Sequence, residues 1–222
     1  MNIIEPYVEI VKDDFDSLLR KIEWCGRKCY KSEHLISAGS APGFVGRILD
    51  RGHESVIEHS VITVGFVVDR GVSHEIVRHR IAAYSQESTR YCNYSREQFG
   101  NEITVIRPFF FEEHGNMLLW ESSCEQAEEV YFDLLANGAT PQEARSVLPN
   151  SLKTDIAVTY NLREWKHFFT LRCSQAAHPQ MRQVAIPLLK YFKNKLPVVF
   201  GDIPYDESFP EEFEAKVYEV SI

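Results

Sequence analysis

The chain has 222 residues, 44% of them hydrophobic and 25% charged, which is enough apolar material for one compact core. Its formal net charge of −8 argues against the broad basic face that a long nucleic acid selects. No apolar run approaches the roughly 20 residues of a membrane-spanning helix, and five cysteines without CxxC spacing or an apolar leader indicate a reducing, cytoplasmic setting.

Residues 3 to 11 read as an opening strand. Phe15, Leu18, Leu19, Ile22, Cys25 and Cys29 then recur at helical spacing behind the capping candidates Asp13 and Asp14, with both cysteines on the apolar side. A second helix is expected from about Pro42 to Gly52, burying Phe44, Ile48 and Leu49. VITVGFVV, residues 61 to 68, is short, β-branched and almost wholly apolar, as a central strand covered on both faces would be. From Gly71, the residues Val72, Glu75, Ile76 and His79 allow a short helix that leads into a loop or irregular strand. ITVIR, residues 103 to 107, is a strand ended by Pro108.

Met117, Trp120, Cys124, Ala127, Val130, Tyr131 and Leu134 mark a long helix closed near Gly138, and Thr140-Pro141 starts a shorter one. LKTDIAVTYNL (152 to 162) reads as a strand and residues 163 to 172 as a helix. Met181, Val184, Ala185, Leu188, Leu189 and Phe192 form a last helical stripe before Pro197. The order is that of an α/β fold of α+β type: a single domain over 1–222, with a central mixed or antiparallel sheet flanked by helices. Its tail, about 202 to 222, carries seven acids against Lys216 alone, a net of −6.

The stretch RHRIAAYSQESTRY, residues 78 to 91, stands apart from this acidic background. Between residues 78 and 96, Arg78, Arg80, Arg90 and Arg96 face only Glu87. A guanidinium offers paired donors and keeps its charge, so the cluster suits a small anion such as phosphate. In an extended segment Ser88 and Arg90 would share one side, as would Arg78 and Arg80, leaving His79 on the other side for an aromatic ring system. Arg145, Asn161, Arg163 and Arg172 each lie beside apolar stretches, and singly each reads as structural. Neither His53 with His59 nor His74 with His79 has a third ligand at zinc spacing, so no metal is expected.

RHR followed by seven residues, Ser88 and Arg90 resembles the RHR-x7-S-x-R signature of flavin-dependent thymidylate synthases. RGHESVIEH (51 to 59), EARSVLP (143 to 149) and YNLREWKHFFTLRCSQAAHPQMR (160 to 182) resemble further elements of that family, in the same order. The resemblance implies FAD as cofactor, NADPH as its reductant and 5,10-methylenetetrahydrofolate as carbon donor. It also implies dUMP and a folate as small-molecule partners and a homotetramer, with neither nucleic acid nor membrane. Ser55, Arg78, His79, Arg80, Gln86, Asn161, Arg163 and His167 would contact the flavin. Glu75, Arg78, Gln86, Glu87, Ser88, Arg90, Arg145 and Arg172 would surround dUMP. The chain departs from the usual family form at Glu75, Ala83, Ser85, Gln86 and His167.

The implied reaction is reductive methylation of the uracil ring, and the redox chemistry belongs to the flavin. Cys92 and Cys173 lie near the implied site, but neither stands in the Pro-Cys-His context of the other thymidylate synthase class. Ser88 has no base placed beside it and reads as a phosphate ligand. Arg172 is the expected catalytic residue, a cation for charge developing on the pyrimidine. The alternative is a nucleotide- or flavin-binding protein without turnover.

Overall fold

The expected opening strand is divided at Pro6, which has no N–H to donate, into β1 (Asn2–Ile4) and β2 (Tyr7–Val11). The computed structural model describes residues 1–94, 100–111 and 115–222; Arg96, counted in the basic cluster, lies outside the described residues. β1 pairs in parallel with β5 (Thr104–Ile106), in the register Asn2 to Thr104, Ile3 to Val105 and Ile4 to Ile106. A five-stranded mixed sheet runs in the order β4 (Ala82–Gln86), β6 (Lys153–Asn161), β3 (Val61–Asp69), β2 and β7 (Lys216–Val220). The apolar β3 holds the central position. Burial alternates over its first residues and becomes continuous from Phe66 to Asp69.

The expected caps Asp14 and Thr140 stand at helix starts, whereas the second helix begins at Ser40, ahead of the expected Pro42. Asp14 accepts from the Ser17 backbone N–H at 3.1 Å and starts α1 (Phe15–Lys28). Its buried side carries Leu18, Leu19 and Ile22, but continues through Glu23, Gly26 and Arg27. Cys25 is only half-buried and Cys29 is exposed, against expectation. The cause is the crossing with α2 (Ser40–Leu49): a Cβ on Gly26 would lie 2.7 Å from Phe44 Cε1. Helix contact at Gly26 turns Cys29 outward.

α3 spans Arg70–Ile76 and α4 spans Met117–Ala136, of which only Cys124 and Tyr131 are fully buried. α5 (Pro141–Ala144) begins in a capping box between Thr140 and Glu143. α6 (Leu162–Arg172) is capped by Asn161, whose Oδ1 accepts from the Glu164 N–H at 2.8 Å. α7 (Pro179–Lys195) continues through Pro187, and α8 (Pro197–Phe200) follows. Among the described residues no helix is long and apolar enough to cross a membrane.

The chain forms two compact units. The first comprises Met1–Tyr7, Phe66–Arg78 and Ser85–Ala157, with a core containing Tyr94, Ile103, Val105, Cys124, Tyr131 and Leu152. The second comprises Val8–Gly65, His79–Tyr84 and Val158–Ile222. Its core is aromatic: Trp165 stacks on Phe169 at 5.5 Å and meets Phe168 and Phe192 edge-on or tilted, while its Nε1 donates to the Ile62 carbonyl at 3.1 Å. The acidic tail is zipped to α7. Lys190 binds Glu214 at 2.6 Å, Lys195 binds Glu219 at 3.0 Å, and Arg182 holds Asp206.

Candidate active site

In the first unit, Asp69 caps α3 by accepting from the Val72 N–H at 2.7 Å. Glu75 is half-buried in the last turn of that helix, and Arg78 is exposed just beyond it. Gln86, at the end of β4, donates through Nε2 to Ser73 Oγ at 3.0 Å and Thr154 Oγ1 at 3.1 Å. An amide supplies donors that a carboxylate at this position would lack, which gives the departure at Gln86 a structural role. Glu87 accepts from Lys153 Nζ at 2.8 Å and from the Tyr94 hydroxyl at 3.2 Å. A cavity of about 690 Å³ is lined by Gln86, Glu87, Tyr94 and Lys153 together with Cys92 and Asp155. Burial and the neighbouring Glu87 push the Cys92 thiol up, which disfavours a nucleophilic thiolate there.

The motif is not extended where sequence spacing alone would extend it. The pairing of the Glu87 N–H with Asp155 O at 2.8 Å is followed by a turn, in which the N–H groups of Tyr91 and Cys92 donate to Ser88 O at 3.1 and 2.9 Å. Ser88 is half-buried and its Oγ accepts from the Arg90 N–H at 3.3 Å, whereas Arg90 is exposed with its guanidinium 5.5 Å from the Tyr91 ring centre. Val77 and Arg78 likewise form a turn after α3. The shared side expected of a strand gives way to turn geometry. Thr89, between the two motif residues, is buried, and its Oγ1 accepts from Arg145 Nη1 at 3.1 Å.

In the second unit, Asn161, Arg163 and His167 line one cleft of about 580 Å³ with Ile81 and Lys166. Arg163 Nη1 donates to Glu58 at 2.6 Å, and Lys166 to Glu54 at 2.7 Å. Ser55 lies exposed in the 3-10 segment Glu54–His59, and Arg80 is exposed beside Ile81. Three of the expected cofactor residues are thus gathered by the capped start of α6 and its next turn.

His79 has a different setting from the one spacing suggests. It is 3% exposed, and both ring nitrogens are engaged: Arg172 Nε donates to Nε2 at 3.1 Å, and Nδ1 donates to Glu164 Oε1 at 3.1 Å. A guanidinium only donates, so Nε2 accepts and the proton sits on Nδ1. Burial, followed by the Arg172 and His167 charges, holds the His79 pKa down to about 4, while burial raises that of Glu164. Phe168 and His167 stand edge-on to the ring at 5.1 and 5.3 Å. Tyr84 donates its hydroxyl proton to the His79 carbonyl and lies 2.9 Å from the Tyr160 hydroxyl.

Donor atoms of His79, Glu164 and His167 lie within 4.8 Å of one another, a grouping that the histidine spacings did not suggest. The Nε2 lone pair of His79 is already taken by Arg172. A metal ion at that nitrogen would have to displace a guanidinium, so the arrangement is a hydrogen-bonded chain. Glu164, Thr89, Thr154 and Lys153 were missed by sequence reasoning. Only Glu164 carries a local signal, the Asn161-x-x-Glu164 spacing of a helix start; its contact with His79, 85 residues away, carries none.

The family described as thymidylate synthase complementing protein matches residues 13–198 of the chain. The flavin-dependent thymidylate synthase of Geobacter sulfurreducens is 36% identical over 183 residues, covering 79% of this chain and 78% of that protein. The chain belongs to the flavin-dependent thymidylate synthase family. The flavin-dependent thymidylate synthase of Pyrococcus furiosus is 35% identical over 170 residues, covering 76% of this chain and 69% of its own. The UMP/dUMP methylase PolB from Streptomyces cacaoi, solved with 5-Br dUMP bound, shares the fold: its TM-score is 0.74 over 90% of this chain and 96% of that chain, at 21% identity. The present chain is an enzyme of the flavin-dependent thymidylate synthase type, with the helix-flanked mixed sheet that the motif resemblance implies.

Proposed function

We propose that this enzyme converts dUMP to dTMP, taking the one-carbon unit from 5,10-methylenetetrahydrofolate and the hydride from reduced FAD, which NADPH regenerates. The observation that carries the reading is the bond from Arg145 Nη1 to Thr89 Oγ1, at 3.1 Å and 56 residues apart in sequence. It sets a guanidinium against the turn that holds Ser88 and Arg90, so that separate motif elements supply donors for one phosphate. The network of Glu87, Lys153 and Tyr94 fixes the adjoining cavity wall, on which a nucleotide is oriented.

The second-unit cleft fits a flavin dinucleotide in donor chemistry. Arg163 and Lys166 bring charge for a pyrophosphate, Ile81 an apolar face, and Asn161 and His167 polar groups for a ring edge. FAD bound here and reduced by NADPH would supply the hydride. On binding, Arg163 and Lys166 would exchange the Glu58 and Glu54 carboxylates, which also line the cleft, for phosphate oxygens. Arg172 stabilises negative charge at N3 and O2 of the uracil as C5 becomes nucleophilic, and His79 holds its Nε in place. No thiol nucleophile is required.

In this reading the protein is one cytoplasmic domain acting as a homotetramer. Leu118 and Leu119 on α4, 78% and 74% exposed, offer apolar surface for subunit contact. The deciding experiment incubates flavin-loaded protein without oxygen with dUMP, methylenetetrahydrofolate and NADPH, beside flavin-stripped protein. Flavin-dependent dTMP is the expected product. Nucleotide binding without dTMP would return the protein to a binding role.

A further inference from the structure

Arg70 opens α3 in the first unit, and its Nη1 is buried without a hydrogen-bond partner among the described residues. Leaving a buried donor unpaired is costly, more so when it is charged, and an unexplained one signals a missing acceptor. The side chain lines a cavity of about 250 Å³ with Thr89, Arg145, Ser146 and Asn150. No carboxylate is among the residues lining this cavity. The adjacent Asp69 Oδ1 accepts from the Val72 N–H in capping α3. The base of Arg70 is fixed, its backbone N–H donating to the carbonyls of Asn150 and Leu152 at 3.0 and 3.1 Å. The cavity lies below the roughly 300 to 1,000 Å³ of pockets that take a whole ligand. It has room for a group of a ligand, and its two guanidinium groups select an anionic one.

We propose that Arg70 is a further phosphate-binding residue, closing with Arg145 and Thr89 around the 5′-phosphate of the nucleotide. The inference rests on the nucleotide reading above and adds a residue that the recognised motifs do not contain. Two guanidinium groups converging on one tetrahedral oxyanion give paired, charge-assisted bonds, and the bond from Arg145 to Thr89 keeps the second fork in position.

The test is calorimetric titration of flavin-loaded wild type, Arg70→Met and Arg70→Lys with dUMP, deoxyuridine and inorganic phosphate, with mass measured by light scattering. Arg70→Met keeps the apolar stem, and is expected to weaken dUMP about 10- to 100-fold while leaving deoxyuridine unchanged; Arg70→Lys should fall between, because a point charge lacks the fork. Unchanged dUMP affinity in Arg70→Met overturns the proposal and leaves dUMP as substrate. The same holds if the variant instead changes oligomeric mass, which would assign Nη1 to a subunit contact. If Arg70→Met does not fold, Arg70→Lys decides, and wild-type dUMP affinity overturns the proposal. If wild type fails to prefer dUMP over deoxyuridine, the substrate reading fails. Inorganic phosphate then judges the pocket alone: weaker binding in the variants supports it, and equal binding overturns it.

Discussion

Arg172 Nε donates to His79 Nε2, and His79 Nδ1 donates to Glu164 Oε1, each across 3.1 Å. The tautomer that lets His79 accept from Arg172 is the one that Glu164 holds, so the carboxylate orients the guanidinium through the imidazole. Glu164→Leu removes that hold. Its expected effect is a fall in kcat of about tenfold with a smaller change in KM for dUMP, as for a positioning residue. Glu164→Gln keeps an acceptor oxygen and should recover much of the loss. Steady-state kinetics on the two variants checks this; equal kcat in both would show that the chain through His79 does not reach the reaction.

The same chain sets a pH dependence of stability. With a folded pKa of about 4 against an ordinary value of 6.5, the unfolded state binds the His79 proton first as pH falls. The contribution is complete above pH 6.5 and is lost between 6.5 and about 4, amounting to at most about 3 kcal/mol. Glu164, whose pKa is raised, works in the opposite sense, in a window that opens above its ordinary value of 4.5 and so overlaps that of His79. Urea midpoints at pH 7 and pH 5 should separate more for wild type than for His79→Gln. Parallel behaviour would remove His79 as the titrating group.

Arg163 separates stability from cofactor binding. Its ion pair with Glu58 is at the surface, the guanidinium side chain being 52% exposed, and such pairs contribute little. Arg163→Ala should therefore leave the unfolding midpoint almost unchanged while weakening FAD markedly. Flavin fluorescence titration beside thermal unfolding tests the pair of outcomes. Undiminished FAD affinity would take Arg163 out of the cofactor site.

A buried ion pair in α1 should behave in the reverse way. Arg27 and Glu23 meet at 2.7 Å with their side chains 8% and 1% exposed, and Ser40 Oγ also donates to Glu23 at 2.7 Å. Arg27→Met leaves a buried carboxylate with the serine alone, and should destabilise by about 3 to 5 kcal/mol. Arg27→Met with Glu23→Leu should recover most of this, with turnover per folded molecule near wild type throughout. Chemical denaturation of the single and double variants measures it.

Local chemistry was legible in the sequence alone. Asp14 caps the helix that follows it because a capping oxygen needs only a backbone N–H two or three residues away, and Thr140 opens α5 in a capping box with the nearby Glu143. The apolar run of β3 pointed to its central position for a similar reason, and its last residues, Phe66 to Asp69, are covered on both faces although its first alternate and Val61 is exposed. The family was legible too, since RHR, Ser88 and Arg90 sit in one short stretch with the other motif elements in order.

Long-range pairing belonged to the tertiary structure. The approach of α2 at Gly26 turned Cys29 outward, and the turn after Glu87 set Ser88 and Arg90 apart from strand alternation. Thr89 met Arg145, and Glu164 met His79, across 56 and 85 residues. Spacing along a chain specifies which faces and caps are available. Which distant donor meets which acceptor follows from packing the whole core, and that is where His79 became a neutral relay and Arg70 acquired an unpartnered nitrogen.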